Sequence, residues 1–355
     1  MRLVLALLFM ASAAHATSSA PLDSIGPGLS MMIHEEPASK SIIAEFDRFL
    51  VVVESPGDEA NARALMTALD EAHPEKPVRF VLHTHHHGHS LGAIDPWIVR
   101  GATIITSERN LERVRGRSAD AARFEQEAFV VSDGFSIADA GNRLIVHVLD
   151  ESDYTIPTDQ YIVVEFPEQD LLVSGCLYNK PLDYHQVVNL RKPALRKFLT
   201  EEAPRVRHLI PTNSSEASGY ENLCTVDMLD ATLEQGIQPE RVAERLAALD
   251  LEEIEAQLDD LAEEFGARTP KSYDLLVTGN TIRKRQDFAR AALWFDMSAR
   301  VFPDDARVHY YLGVSRYLNG EPEAAQHAWD AALELADEDL AERIQSSIAS
   351  LREES

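Results

Sequence analysis

The run His83-Thr84-His85-His86-His87-Gly88-His89 follows directly on the apolar segment Val78-Arg79-Phe80-Val81-Leu82. That junction constrains the fold more than any other feature of the chain. A strand that ends in a polar loop presents the loop at a sheet edge, where a rigid scaffold aims side chains into a cleft. Five of the thirteen histidines fall within these seven residues. So many imidazoles on one loop serve no packing purpose, and neutral imidazole is a common ligand for zinc-like ions. Residues two apart on an extended chain point to the same side, so His85 and His87 can reach one ion.

The flanking sequence, from Ile42 to Ser215, alternates strand-like and helix-like segments. Phe49-Leu50-Val51-Val52-Val53 reads as a buried strand, and Asp58 to Ala72 as an amphipathic helix whose Ala62, Leu65, Met66 and Leu69 share a face. Leu144 to Leu149, Tyr161 to Phe166 and Leu171-Leu172-Val173 are further strands. The polar turn Glu168-Gln169-Asp170 joins the last two as a hairpin. Val206 to Ile210 is a late strand ending at Pro211. Strands interleaved with helices predict a layered α/β or α+β domain.

The N-terminus reads as an export signal. Arg2, the apolar run Leu3 to Met10 and the motif Ala14-His15-Ala16 give a charged region, a short apolar core and a small-residue cleavage site. The expectation is a periplasmic or secreted protein cleaved near Ala16. The apolar run is too short to serve as a membrane anchor, and no other stretch is long and apolar enough to span. Thr17 to Ser30, rich in Ser, Pro and Gly, reads as a linker.

Beyond about Asp227 strand signals give way to long helices, including Arg241 to Leu249 and Leu251 to Phe265 on either side of Asp250. Gly279, Ala291, Phe295 and Pro303 then set offsets that Gly313, Ala325 and Trp329 repeat 34 residues later. This pattern resembles the tetratricopeptide repeat, in which small residues sit where two helices cross and an aromatic fills the next gap. It covers roughly Ser272 to Ala336, about two units, with Ser298 and Asp337 replacing the usual alanine and proline. An ordinary array of helical hairpins is the alternative. The resemblance implies a surface for a protein partner or for self-association. Since about three units are normally needed for stability, neighbouring acidic helices or the preceding domain are expected to cap the array.

A net charge of −26 repels phosphate backbones and anionic lipid heads, which argues against nucleic-acid and membrane-surface roles. The chain has two cysteines, Cys176 and Cys224. In an oxidising compartment they could pair, but one bridge cannot define a fold of this size, so the fold must rest on its core.

The segment Thr84-His85-His86-His87-Gly88-His89-Ser90-Leu91-Gly92-Ala93, at the end of a strand, resembles the T-H-x-H-x-D-H-x-G-G signature of the metallo-β-lactamase superfamily. Three other segments fit the same order. Val51-Val52-Val53-Glu54-Ser55 resembles the early strand that normally ends in Asp, and Ser174-Gly175-Cys176-Leu177-Tyr178-Asn179 the S-G-D strand end. Ile210-Pro211-Thr212-Asn213 resembles the strand that delivers the last histidine. The resemblance spans roughly Ile42 to Ser215. It implies an α/β fold, a four-layer αββα sandwich with a metal cleft at one edge, followed here by the all-α repeat region. The expected divisions are 1–16 signal, 17–41 linker and first strand region, 42–226 sandwich, 227–270 helical linker and 271–345 repeats.

The implied ligands carry over one at a time. His85 and His87 match the first two histidines. His89 stands where the family has the Asp that binds metal and orients the attacking water, so it is the candidate catalytic group as well as a ligand. Ser90 replaces a further histidine of many members. The third histidine should fall between Asp150 and Asp159, where Tyr154 is the best match; His147 reads as an ordinary strand residue. Cys176 takes the bridging-Asp position, and Asn213 replaces the last histidine. His83, His86 and His185 are spare imidazoles near the same place. Cys176 stays open to three roles: ligand, half of a bridge to Cys224, or plain buried thiol. The metal implied is zinc, one or two ions.

Three functional readings follow. The first is a metal-dependent hydrolase with a His-substituted site, acting on an ester, lactone, lactam or similar bond of a small substrate. The second is an inactive family member kept as an interaction module. The third is a protein that holds zinc or copper without turnover.

Overall fold

The central strands are buried on both faces, and their alternate residues face different layers, which decides the architecture. The computed structural model describes residues 22–34, 39–87, 91, 93–181, 184, 188–213, 222–236, 257–260, 262, 263, 266 and 272–353. Seven strands form one sheet in sequence order: β1 (Asp23–Gly26), β2 (Leu29–His34), β3 (Ser39–Glu45), β4 (Leu50–Val53), β5 (Val78–Leu82), β6 (Thr103–Thr106) and β7 (Ala128–Val130). Pairing is antiparallel from β1 to β4 and parallel from β4 to β7. The parallel half needs crossovers, supplied by α1 (Glu59–Ala72), α2 (Ile94–Val99), α3 (Leu111–Arg115) and α4 (Ala121–Glu127). The second sheet has the order β13-β12-β11-β10-β9-β8. Its strands are β8 (Phe135–Ala138), β9 (Arg143–Asp150), β10 (Gln160–Phe166), β11 (Leu171–Gly175), β12 (His208–Pro211) and β13 (Cys224–Thr225). Helix α5 (Arg191–Glu201) links the parallel pair β11/β12, and α6 (Val226–Gln235) follows β13.

Three apolar clusters separate four layers. Val51, Val53 and Leu82 of the first sheet meet Ile162, Val164 and Val173 of the second, forming the cluster between the sheets. The alternate residues Leu50, Val52 and Val81 face outward onto Leu65 and Leu69 of α1 and Trp97 of α2. Tyr161, Val163 and Leu172 likewise face outward onto Leu195 and Phe198 of α5 and Leu229 of α6. The order is therefore αββα, and strands buried on both faces account for the continuous apolar runs. Helix α1 starts where Asp58 accepts a hydrogen bond from Asn61 N at 2.8 Å, an N-cap that satisfies an otherwise orphan amide.

The Ser/Pro/Gly stretch Thr17 to Ser30, expected to be a linker, instead holds β1 and the start of β2. Pro27-Gly28 is the tight turn of a hairpin, and turn residues without neighbouring apolar runs read as linker. The late strand is shifted to His208–Pro211. The signal segment, Arg241 to Leu249 and most of Leu251 to Phe265 lie outside the described residues.

The C-terminal region is helical: α7 (Ser272–Lys284), α8 (Phe288–Val301), α9 (Ala306–Leu318), α10 (Pro322–Leu335) and α11 (Glu338–Glu353). Gly279 of α7 lies against Trp294 and Phe295 of α8, and Gly313 of α9 lies against Trp329 of α10. A methyl group at either glycine would collide with those rings. Each glycine thus lets an aromatic side chain from the next helix pack onto its backbone.

Candidate metal centre

The histidine loop is clamped between the two sheets at its root. His83 N donates to Ile105 O of β6 at 3.0 Å, prolonging the first sheet. One residue on, Thr84 O accepts from Ile162 N of β10 at 2.7 Å, which ties the loop to the second sheet. The side chains of His85 and His87 follow from this fixed start, and their rings meet edge to face with centroids 4.5 Å apart.

Cys176 arrives from the other sheet, one residue past β11. Gly175 has φ +58°, a left-handed conformation that disfavours a side chain, and a Cβ there would strike the Tyr161 hydroxyl. That hydroxyl accepts a hydrogen bond from Cys176 N at 2.6 Å. The Tyr161 ring stacks on His85 with centroids 4.7 Å apart. A single buried tyrosine therefore props both His85 and Cys176. The result is a three-donor cluster: the ligand atoms of His85, His87 and Cys176 all lie within 4.8 Å of one another.

Behind His85 stands a carboxylate. Thr84 Oγ1 lies 2.7 Å from His85 Nδ1 and donates to Glu54 Oε1. Glu54 Oε1 is also 3.8 Å from His85 Nδ1. With Nδ1 engaged on this side, His85 Nε2 faces Cys176 Sγ at 3.2 Å. Glu54 is buried and has φ +68°, an uncommon conformation for a residue with a side chain. A carboxylate that orients a ligating imidazole from behind is a common outer partner of metal sites.

Electrostatics at the cluster are mixed. Burial pushes the Cys176 thiol up to about 12; the Arg191 charge works in the opposite direction, and Glu54 adds to the rise. Burial likewise raises the Tyr161 hydroxyl well above its ordinary range. Burial lowers His86, partly countered by its hydrogen bond to Asn110.

Two imidazoles and a thiol are donors suited to a zinc-like ion. Zinc bonds of about 2.3 Å to sulfur and 2.0–2.1 Å to nitrogen place tetrahedral ligand atoms about 3.5 Å apart, close to the 3.2 Å between Cys176 Sγ and His85 Nε2. The remaining candidates fall elsewhere. His86 Nδ1 is 2.8 Å from Asn110 Oδ1. Tyr154 packs on Phe198, with Lys197 Nζ 4.8 Å above its ring, in the outer helix layer. Asn213 Oδ1 accepts from Asn179 Nδ2 at 3.0 Å. His83 is buried at the loop root. His147 pairs with Glu165 at 2.8 Å. No disulfide joins Cys176 to Cys224. His89 and His185 lie outside the described residues.

Sequence reading missed Tyr161, Arg191 and the Thr84 bridge. Tyr161 opens a strand and looks like any β-forming aromatic. Only Glu54 left a signal, as a charge closing an apolar strand.

No family model matches the chain, and no curated protein matches it by sequence. Among solved structures it is similar to a metallo-β-lactamase from Pontibacter korlensis, at 17% identity and a TM-score of 0.47, covering 60% of this chain and 97% of that one. It is also similar to the metallo-β-lactamase FIM-1 from Pseudomonas aeruginosa in a mono-zinc form, at 16% identity and a TM-score of 0.43, covering 61% and 95%. A metallo-β-lactamase from Hirschia baltica gives 16% identity and a TM-score of 0.44, covering 61% and 99%. Among the described residues no helix is long and apolar enough to cross a membrane.

Proposed function

We propose that this chain is an exported metal-dependent hydrolase of the metallo-β-lactamase type, with an atypical one-ion site of His85, His87 and Cys176. The observation that carries the reading is the convergence of these three donors from two sheets to within 4.8 Å. Among the described residues three protein donors converge, and three protein ligands with a fourth position for water or substrate is the pattern of catalytic zinc. Zinc in such a site supplies Lewis acidity and activates water near neutral pH. The chain's own residues do the rest. His85, His87 and Cys176 would hold the ion, Glu54 orients His85 through Thr84, and His89, which lies outside the described residues, is proposed as a further ligand and as the catalytic proton acceptor. The substrate class is a small molecule with an ester, lactone, lactam or similar bond.

Elemental analysis of the mature protein should find about one zinc per chain. Hydrolysis of a panel of esters, lactones and lactams should follow metal content. His87→Ala should lose both. Protein that stays metal-free after zinc addition would sink the reading, as would unchanged turnover in His87→Ala.

A second reading, metal held without turnover, draws on Tyr154 and Asn213, which pack against Phe198 and Asn179 rather than adding donors. Zinc uptake with no hydrolysis across the panel would favour it. For the tail we propose tetratricopeptide-like pairing, supported by the matched glycine–aromatic contacts at Gly279 and Gly313. In this proposal the tail brings two copies of the chain together or receives a protein partner.

A further inference from the structure

Two consecutive residues just past β4 tie down the chain on both sides of the histidines. On one side, Glu54 N donates to Leu82 O at 2.8 Å, extending the pairing of β4 with β5. On the other, Ser55 forms an isolated parallel bridge with Leu91, and Leu91 N donates to His87 O at 3.1 Å. Between Glu54 and Ser55 the partner therefore changes from Leu82 to Leu91. Glu54 makes that change with φ +68°. A residue with a side chain keeps such a backbone only where its surroundings hold it there.

Ser55 supplies the hold, and Trp97 anchors Ser55. Both residues are fully buried, and Trp97 Nε1 donates to Ser55 Oγ at 2.8 Å. Trp97 lies on α2, whose buried residues are Ile94, Trp97 and Ile98. Residues three and four apart share one side of a helix, so α2 turns this face onto the sheet. There Trp97 joins the apolar cluster of Leu50, Val52 and Val81. Its indole is a fixed post from which two paths of contact run. One passes through Ser55 and its neighbour Glu54 to Thr84 and His85. The other passes through Ser55 and Leu91 to His87.

We propose that Trp97 is a positioning residue of the metal centre, whose hydrogen bond to Ser55 sets His85 and His87 relative to each other. The inference rests on the three-donor reading. Cys176 is outside its reach, since Tyr161 of the second sheet holds that residue. The post therefore governs the two imidazoles and leaves the thiol side to the opposite sheet.

Cobalt(II) added to the full chain tests this, because its visible absorption reports both affinity and ligand geometry. Wild type should bind cobalt. Trp97→Phe keeps an aromatic ring and removes the donor, and Ser55→Ala removes the acceptor. Each should weaken cobalt binding about 10-fold, the low end of outer-partner losses, and shift the absorption bands. The two changes cut one link, so the double variant should also lose about 10-fold, not the product of the two losses. Trp294→Phe is the control. It removes an equivalent buried indole bond, to Leu275 O at 2.8 Å in the tail, and should lower the melting temperature while cobalt affinity holds. Wild-type affinity and spectra in both Trp97→Phe and Ser55→Ala overturn the inference but leave the three-donor reading standing. An equal cobalt loss in Trp294→Phe, or a 100-fold loss in the double variant, also overturns it. Wild type that takes up no cobalt overturns both.

Discussion

The sandwich and the helical tail use glycine for different ends. In the tail, Gly279 and Gly313 sit within helices and make room for an aromatic ring about 16 residues later in sequence. At the metal centre, Gly175 lies at a strand end with φ +58° and makes room for Tyr161 of the neighbouring strand. In both places a missing side chain lets an aromatic residue approach the backbone. At Gly175 the position also requires a left-handed backbone, and the aromatic concerned props two metal-ligand candidates. The tail therefore relies on local packing that a variant can relax, whereas the centre relies on a geometry fixed from two sheets at once.

The largest expected effect tests the centre. Gly175→Ala meets both backbone strain of roughly 1–3 kcal/mol and overpacking of roughly 1–3 kcal/mol. A loss of about 3 kcal/mol in urea unfolding is expected, together with weakened zinc binding as Tyr161 is displaced. A loss under about 1 kcal/mol, with zinc affinity intact, would show that the strand end adapts as freely as a tail helix.

How much of this could be read in the sequence follows the same division. The tail glycines and aromatics recur at a fixed spacing, so their partnership was visible within 34 residues. Strand β4 and helix α1 were equally plain, because burial on both faces or on one helical face leaves its own pattern in the sequence. The metal centre was only half visible. His85 and His87 share one loop, but Cys176 was reached through family resemblance, and it lies 91 residues from His85. Tyr161 and Arg191 gave no sign, since their roles come from contacts that no local pattern encodes. The β1–β2 hairpin was missed because Pro27-Gly28 punctuates a linker and a turn alike.

Acid should separate the two regions next. On β2, burial holds His34 down to about 4, with Asp58 pulling it upward, and its Nε2 lies 3.0 Å from Ser41 Oγ. A histidine kept neutral by folding adds stability that is fully present above its unfolded value of 6.5. That stability is lost as pH falls from there toward the folded value. Between pH 7 and pH 5 the loss should reach about 2 kcal/mol. In the tail, burial opposes ionisation of Asp305, but Arg307 and Ser272 together hold it down to about 2. A depressed carboxylate keeps its contribution until pH falls below its unfolded value of 3.8, so this tail contact loses nothing in that window. Urea unfolding at pH 7 and pH 5 should show the drop in wild type and a flatter response in His34→Gln. Equal slopes for the two proteins would remove His34 as the cause.

The smallest effect tests the tail's tolerance. Gly313→Ala forces a methyl against the Trp329 ring, an overpacking cost of roughly 1–3 kcal/mol. The same change gains about 1 kcal/mol of helix propensity, because alanine loses less backbone freedom than glycine. Gly313 lies mid-helix and has no left-handed backbone to strain, so the two effects oppose each other. The net loss should be about 1 kcal/mol, far below that of Gly175→Ala. Light scattering at micromolar concentration should then give a two-chain mass for wild type and a lower mass for the variant, because α9 and α10 are wedged apart. A single-chain mass for wild type would remove self-association through the tail. A Gly313→Ala loss as large as that of Gly175→Ala would mean that Trp329 is held as rigidly as Tyr161.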